Sequence, residues 1–164
     1  MQGFSTRAIH AGQEPDPTTG AVTTSIHTSS TYAQDGVGGT RGGYEYSRSA
    51  NPTRTALQEC LAALEGGRHA HAFGSGMGAT DTLLRILLEP GDHLVIPHDA
   101  YGGTFRLVDK VLSGFGVEHT PVDLADLDAL RVALRPSTKV IWSETPTNPL
   151  LGIADIAGLA GIAR

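Results

Sequence analysis

The stretch A72-F-G-S-G-M-G-A-T80 has the composition of a ligand-binding loop. An apolar run that predicts a helix follows it, so the backbone N–H groups of Ser75, Gly76 and Met77 lie at a helix start, where they have no acceptor within the helix. A phosphate group binds such N–H groups without any charged side chain. These residues therefore predict either a phosphate site or a tight turn selected for close packing, and both interpretations stay open.

The same loop matches the known nucleotide patterns only in part. Gly74, Gly76 and Ala79 satisfy G-x-G-x-x-A, but a dinucleotide site also needs a buried strand before the loop and an acidic residue about 20 positions after it. The stretch 68–73 is polar for such a strand, and Asp92 lies in a turn. A Gly-Lys-Ser/Thr sequence does not follow, which excludes the Walker pattern. The dinucleotide interpretation is therefore disfavoured.

Two Tyr/Arg clusters contain further residue types that bind anions and planar rings. Tyr46 and Arg48 precede the first predicted helix, and a guanidinium with a phenol beside it could clamp a phosphate or carboxylate. Tyr101 follows a predicted strand and could lie flat against a ring, while Arg106, about one helical turn further on, could meet an acidic group. Each cluster could equally be an ordinary loop or helix start.

The stretch E144-T-P-T-N-P149 also directly follows a predicted strand. Its two prolines restrict the backbone and would hold the amide of Asn148 still enough to contact a ligand. The alternative is a rigid turn with no ligand.

Metal binding and thiol chemistry are weakly supported. His69 and His71 would share one face of a strand, but a third ligand at a spacing typical of zinc is missing. Cys60 is the only cysteine, so an internal disulfide is impossible. Its place on the apolar face of a predicted helix favours a core residue over a nucleophile. We therefore expect no metal site.

The composition is that of a globular protein. The 164 residues are 40% hydrophobic and 18% charged, with a formal net charge of −5. This charge disfavours nucleic acid and anionic membranes as partners. The N-terminal residues lack the apolar core of a signal peptide, and no apolar run is long enough to span a bilayer, so we expect a cytoplasmic protein.

Strands alternate with helices from residue 51 onward, which predicts an α/β fold with a mostly parallel sheet. Asn51 is expected to cap a helix that starts at Pro52 and ends at Gly66-Gly67. The elements predicted after it are a strand over 68–73, a helix over 76–88, a strand over 93–97, a helix over 101–113, a strand over 117–121, a helix over 123–134, a strand over 139–143 and a helix from 153 to 164.

Residues 1–50 are rich in Gly, Thr and Ser and show no sustained period. We expect this segment to gain its order by lying on another surface, such as that of a neighbouring subunit. The predicted organisation is therefore an N-terminal arm over 1–50 and an α/β domain over 51–164. Because the alternating pattern stops within a helix, we expect either an exposed sheet edge or part of a larger unit.

Several of these stretches occur together, in order, in one enzyme family. The chain resembles the transsulfuration family of pyridoxal-phosphate (PLP) enzymes over essentially its whole length, and within it the cystathionine γ-synthase and γ-lyase branches. The resemblance implies part of the large PLP-binding domain of a fold-type I, aspartate aminotransferase-like enzyme. The motifs that carry it are T6-R-A-I-H-A-G12, Y44-E-Y-S-R-S-A-N-P-T53, L64-E-G-G67, S75-G-M77, P90-G-D92, Y101-G-G-T104 and E144-T-P-T-N-P149.

The resemblance assigns several residues to the phosphate of the cofactor, pyridoxal 5′-phosphate. Ser75, Gly76 and Met77 form the phosphate-binding loop, with backbone N–H groups as donors. Tyr46 and Arg48 reach the same phosphate from a neighbouring subunit.

The resemblance also assigns residues to the cofactor ring and the substrate. Tyr101 stacks on the pyridine ring and takes part in catalysis, Asn148 donates to the phenolic oxygen, and Glu144 supports this arrangement. Arg106 helps to bind a small, acidic amino-acid substrate, together with Arg48 and Tyr101.

The family's chemistry further requires a lysine that forms a Schiff base with the cofactor. The two lysines, Lys110 and Lys139, match neither its position nor its context, and the aspartate that pairs with the pyridine nitrogen is also absent. We therefore expect an N-terminal portion that is inactive alone and forms a homo- or hetero-oligomer, with a chain that carries the C-terminal part of the fold. The expected reaction is γ-replacement or γ-elimination on homoserine-derived amino acids. The alternative is a non-catalytic remnant that binds a partner or an anion.

Overall fold

The computed structural model describes residues 3–164, and the chain divides into two compact units, Met1–Ala72 and Phe73–Arg164. Within the described residues, no helix is both long enough and apolar enough to cross a membrane. The predicted arm over 1–50 lies in the first unit and is described from residue 3. Its boundary at residue 50 and its contact with a neighbouring subunit stay predictions.

Two helices, α1 (Phe4–His10) and α2 (Pro52–Glu65), form the regular part of the first unit. The ends of α2 confirm the prediction. The side chain of Asn51 accepts a hydrogen bond from the backbone N–H of Thr53 at 2.9 Å, and Gly66 ends the helix in the left-handed conformation with φ of 67°. Local signals at both termini therefore define this helix.

Helix α1 has no counterpart in the predicted elements because a distant contact stabilises it. The Arg7 guanidinium donates a hydrogen bond to the backbone carbonyl of Ala63. That carbonyl lies in the last turn of α2, where carbonyls have no partner within the helix and the helix dipole favours a cation. Arg7 thus joins α1 to the end of α2.

The second unit contains a parallel three-stranded sheet with strand order β2-β1-β3, which confirms the predicted α/β class. Its elements, in chain order, are α3 (Gly76–Leu87), β1 (His93–Pro97), α4 (Gly102–Arg106), a π-helical turn (Leu107–Leu112), a 3-10 turn (Ser113–Phe115), β2 (Glu118–Val122), α5 (Leu127–Ala133), β3 (Thr138–Ile141) and α6 (Ile156–Ile162).

The central strand β1 is buried on both faces and divides the core of this unit into two layers. Leu94 and Ile96 pack on one side with Leu84 of α3 and Val108 of the π-helical turn, and Val95 packs on the other. The second layer consists of Val122, Leu124, Leu130 and Leu159. This burial on both faces is what a parallel sheet covered by helices requires.

Two predicted elements differ from the structure in kind rather than only in their bounds. Residues 68–73 are not a strand: among the described residues no strand pairs with them, and the backbone N–H of Ala72 donates instead to the Gln58 side chain at 3.0 Å. The predicted helix over 101–113 is divided into α4, the π-helical turn and the 3-10 turn. A strand requires a hydrogen-bonding partner, which no local pattern reveals.

The last two helices begin later than predicted because aspartates cap them. Asp126 accepts from the backbone N–H groups of Asp128 and Ala129 at the start of α5, at 2.9 and 3.0 Å. Asp155 accepts from the N–H of Gly158 at the start of α6, at 3.0 Å. Both residues have extended backbones, so helix geometry starts after them.

A fully buried histidine, His93, links the three strands of the sheet. Its Nδ1 lies 2.8 Å from the hydroxyl of Thr138 on β3, and its Nε2 lies 2.9 Å from the hydroxyl of Thr120 on β2. Burial lowers the pKa of His93 below its ordinary value of 6.5, and the positive charge of Arg135 lowers it further. Neutral His93 is therefore the form that the folded sheet favours.

We expect the free energy of unfolding to fall as the pH is lowered from about 6.5 toward the folded-state pKa of His93. In that window the unfolded chain takes up a proton and the folded chain does not, whereas above it the contribution of neutral His93 is complete. Urea unfolding at a series of pH values measures the decline.

The variant His93→Gln should show a smaller decline, because its amide offers a donor and an acceptor but does not titrate. The matched control is His98→Gln at an exposed histidine of the same unit, and it should keep the full decline. An equal decline in His93→Gln and the unmodified chain would contradict the role of His93.

Candidate functional site

A pocket of about 440 Å³ in the second unit is lined by residues from three of the predicted site stretches. It lies between the start of α3, the start of α4 and the residues that follow β3. Its lining residues are Ser75, Gly76, Met77, Thr80, Tyr101, Thr104, Trp142 and Glu144. The volume is in the range of small-molecule sites, which extends from about 300 to 1,000 Å³.

One wall of this pocket is the first turn of α3, a helix of 12 residues. The Ser75 side chain accepts a hydrogen bond from the N–H of Gly78 at 3.0 Å and caps the helix. Among the described residues, the N–H groups of Gly76 and Met77 have no acceptor. A Cβ at Gly76 would have no heavy atom within 4 Å, so the backbone there is open to an approaching ligand.

Tyr101 also lines the pocket, and its ring packs against a glycine. A Cβ on Gly103 would lie 2.4 Å from Cε1 of Tyr101 and 2.9 Å from Sδ of Met77, closer than side chains tolerate. The absence of a side chain at Gly103 therefore allows the ring and Met77 to occupy this space. Tyr101 remains 45% exposed, so part of its surface is available to a ligand.

The carboxylate of Glu144 connects the loop after β3 to the start of α4. Its Oε2 accepts from the backbone N–H of Tyr101 at 2.7 Å, and its Oε1 accepts from the hydroxyl of Thr104 at 2.8 Å and from the indole N–H of Trp142 at 3.1 Å. An anion also interacts favourably with the positive end of α4. Glu144 thus holds the backbone of Tyr101 in place, and its role toward a cofactor stays a prediction.

The chemistry of this pocket fits pyridoxal 5′-phosphate. The free N–H groups of Gly76 and Met77 match a phosphate group. The Tyr101 ring offers a surface on which a pyridine ring can stack.

Two other predicted residues lie outside this lining. Asn148 is exposed in the loop after β3, where the buried hydroxyl of Thr147 accepts from the N–H of Gly152 at 2.7 Å and donates to Asp99. Arg106 is also exposed, and its Nη1 would lie 3.1 Å from a Cβ at Gly102. Their roles toward a ligand stay predictions.

Tyr46 and Arg48 lie in the first unit and contact each other. The Arg48 guanidinium carbon lies 4.7 Å from the centre of the Tyr46 ring, a cation–π arrangement. Both residues are exposed, and in the part of the chain that the structure describes Arg48 forms no salt bridge. This cluster therefore presents an uncompensated positive charge beside a phenol.

Neither lysine of the chain lines the pocket. Lys110 pairs with the neighbouring carboxylate of Asp109 at 2.6 Å, and Lys139 is exposed on β3. Across residues 3–164, no group of three or more His, Cys, Asp or Glu residues could hold a metal ion.

Three lining residues were not among the predicted site residues. Thr104 and Trp142 both donate to Glu144, and Thr80 donates its hydroxyl hydrogen to the carbonyl of Gly76 at 3.0 Å. Thr104 belongs to the Y101-G-G-T104 motif, and Trp142 stands two positions before Glu144, so closeness to predicted residues was the available signal.

Comparisons with known proteins give a consistent result. The model of the family described as Cys/Met metabolism PLP-dependent enzyme matches residues 5–164. The cystathionine gamma-synthase of Mycobacterium tuberculosis (strain ATCC 25618 / H37Rv) is 64% identical over 160 residues, which cover 98% of this chain and 41% of that protein.

Two solved structures agree with the fold. The crystal structure of metB from Corynebacterium glutamicum has a TM-score of 0.96 and 52% identity, and the match covers 99% of this chain and 42% of that chain. Cystathionine gamma-lyase from Lactobacillus plantarum, complexed with L-serine, has a TM-score of 0.93 and 47% identity over the same shares. This chain thus spans about two fifths of the length of these relatives, and the predicted fold type is confirmed.

We expect Gly103→Ala to lower the free energy of unfolding by about 1–3 kcal/mol, the usual cost of overpacking. The new methyl group would displace the Tyr101 ring and Met77, and urea unfolding measures the loss. The matched control is Gly102→Ala, because a Cβ there meets only the flexible end of Arg106. A loss no larger than in this control would contradict the packing of Tyr101 against Gly103.

Proposed function

This chain belongs to the Cys/Met metabolism family of PLP-dependent enzymes, and from that premise we propose that it is the N-terminal component of a cystathionine γ-synthase-like enzyme. The predicted cofactor is the cofactor of this family. The observation that carries the proposal is that one pocket is lined both by the start of α3, with its free N–H groups, and by Tyr101. The proposed reaction is γ-replacement on a homoserine-derived amino acid.

The pocket residues bind and orient the cofactor in this proposal. The N–H groups of Gly76 and Met77 hold the phosphate at the positive end of α3, and Ser75 keeps that helix start in place through its cap. Tyr101 stacks on the pyridine ring, and Glu144 fixes Tyr101 through its backbone N–H. When bound, pyridoxal 5′-phosphate supplies an electron sink for the bonds that break in the substrate.

The residues outside the pocket lining bind the remaining groups. The side-chain amide of Asn148 donates to the phenolic oxygen of the cofactor. Arg106 binds the substrate's acidic group, since it is exposed and, among the described residues, has no carboxylate partner. Tyr46 and Arg48 reach the phosphate from a neighbouring subunit, and Arg48 also contributes to substrate binding.

The lysine for covalent chemistry comes from a further segment or from a second polypeptide. Lys110 is engaged with Asp109, and Lys139 lies on β3 away from the pocket lining. The proposed partner chain therefore carries the C-terminal part of the fold, and this chain alone is inactive. A native mass spectrum of the purified complex tests this, and a complex without any lysine-bearing PLP segment would argue against it.

A γ-lyase-like activity is the second candidate. It is favoured by the likeness to cystathionine gamma-lyase from Lactobacillus plantarum. Synthase and lyase activities require the same cofactor-facing residues, so the pocket supports both.

We expect the chain to bind PLP noncovalently, with saturable quenching of the fluorescence of Trp142. This residue is the only tryptophan and lines the pocket, so it reports directly on occupancy. Inorganic phosphate should compete, because it would occupy the same N–H groups. Tyr101→Ala should weaken binding roughly two- to tenfold, from a stacking energy of about 0.5–1.5 kcal/mol.

The matched control for this titration is Tyr101→Phe, which keeps the aromatic face and should bind PLP almost as well as the unmodified chain. Quenching that phosphate does not relieve and that Tyr101→Ala does not weaken would contradict the proposed cofactor site. It would favour a non-catalytic protein that binds a partner or another anion.

For the complete assembly, we expect kcat/KM to be higher for an acylated homoserine with cysteine than for cleavage of cystathionine. Steady-state assays with both substrates measure the ratio, and an assembly that lacks this chain is the control. A ratio in favour of cystathionine cleavage would replace the synthase proposal with the γ-lyase alternative.

A further inference from the structure

The backbone that carries Tyr46 and Arg48 is fixed by one arginine of the same unit. Arg54, in the first turn of α2, donates to three successive backbone carbonyls: that of Ser49 at 2.7 Å, that of Ser47 at 3.3 Å and that of Arg48 at 3.4 Å. The planar guanidinium presents several donors in a fixed geometry, so one side chain can hold three neighbouring carbonyls. Residues 47–49 are therefore held against the start of α2.

Asn51 and Tyr46 restrict the same turn further. The amide nitrogen of Asn51 donates to the hydroxyl of Ser47 at 3.1 Å, and its oxygen caps α2. The carbonyl of Tyr46 accepts from the N–H groups of Ser49 at 2.9 Å and Ala50 at 3.0 Å. The turn that precedes α2 is thus closed on itself and connected to the helix.

The charges in this turn have different surroundings. The guanidinium of Arg54 is partly buried and satisfied by backbone carbonyls. The side chain of Arg48 is exposed and lies over the Tyr46 ring, with its guanidinium carbon 4.7 Å from the ring centre. Arg54 consequently places a positive charge next to the turn, and its donors fix the backbone segment that carries Arg48.

We propose that Arg54 is a positioning residue that sets the geometry of the Tyr46–Arg48 anion clamp. It acts through the backbone of residues 47–49 and does not contact the phosphate itself. This inference rests on the proposed function, in which Tyr46 and Arg48 contact the cofactor phosphate. It extends that function to Arg54, which would otherwise be interpreted as a residue that only stabilises the start of a helix.

A double-mutant cycle on PLP affinity tests the inference in the oligomeric assembly, with Trp142 fluorescence as the readout. Arg48→Ala should weaken PLP binding about tenfold, the effect of losing one charge-assisted hydrogen bond. Arg54→Met should weaken it by up to the same factor, and Arg54→Lys should have an intermediate effect, because it keeps the charge but not the planar fork. In the Arg48→Ala background, Arg54→Met should cause no further loss.

Amide hydrogen exchange supplies a readout that does not depend on the cofactor. The N–H groups of Ser49 and Ala50 should exchange faster in Arg54→Met than in the unmodified chain, because the turn is no longer held. The matched control is Arg131→Met, at a surface arginine that pairs with Asp128 in the second unit, and it should change neither exchange nor affinity. Unchanged exchange at Ser49 and Ala50 would overturn the inference even where PLP affinity falls.

The double-mutant cycle distinguishes a failure of the proposed Tyr46–Arg48 clamp from a failure of the positioning role of Arg54. If Arg48→Ala leaves PLP affinity unchanged, the clamp itself is wrong, and with it the positioning role of Arg54. If Arg48→Ala weakens binding and Arg54→Met weakens it additively in both backgrounds, the clamp stands and the positioning role is overturned. Should Arg54→Met fail to fold, the same comparison is made with Arg54→Lys.

Discussion

The hydrogen bonds to the Glu144 carboxylate are the interaction on which the pocket depends. Glu144 follows β3, whereas Tyr101 and Thr104 follow β1, so nothing local in the chain connects them. The carboxylate accepts from the Tyr101 N–H, the Thr104 hydroxyl and the Trp142 indole N–H. Parallel strands end at the same edge of a sheet, so the fold brings these loops together, and one anion then joins them.

This arrangement prepares the binding surface before any ligand arrives. The Tyr101 backbone is fixed by Glu144, and the Tyr101 ring occupies, together with Met77, the space left by the absence of a side chain at Gly103. The first turn of α3 is fixed by the Ser75 cap. This cap leaves the N–H groups of Gly76 and Met77 free for an anion. A site built in this way loses little conformational freedom when it binds, which favours affinity.

Local signals predicted most of the fold but not the contacts between distant residues. Helix α2 was predicted correctly because Asn51, Pro52 and Gly66 define its ends without help from elsewhere. The strand assigned to 68–73 was wrong because pairing depends on a partner that is distant in sequence. Helix α1 was not predicted for the same reason, because its contact is with the distant carbonyl of Ala63. Arg54 and Asn51, both beyond residue 50, likewise hold the last turn of the N-terminal segment. In the pocket, the lining residues Ser75, Gly76, Met77, Tyr101 and Glu144 belong to the quoted motifs, whereas the only sequence signal for Trp142 is its closeness to Glu144.

The hydrogen bonding of Glu144 also limits the chemistry that this chain can contribute. Both carboxylate oxygens already accept hydrogen bonds, and these hold the start of α4 in place. Glu144 is therefore suited to hold Tyr101 and poorly suited to move a proton. Neither a lysine nor a histidine is among the described residues that line the pocket. The lining residues thus fit the binding and orientation of a ligand, and in the proposed function the Schiff-base lysine is contributed by a further segment or chain.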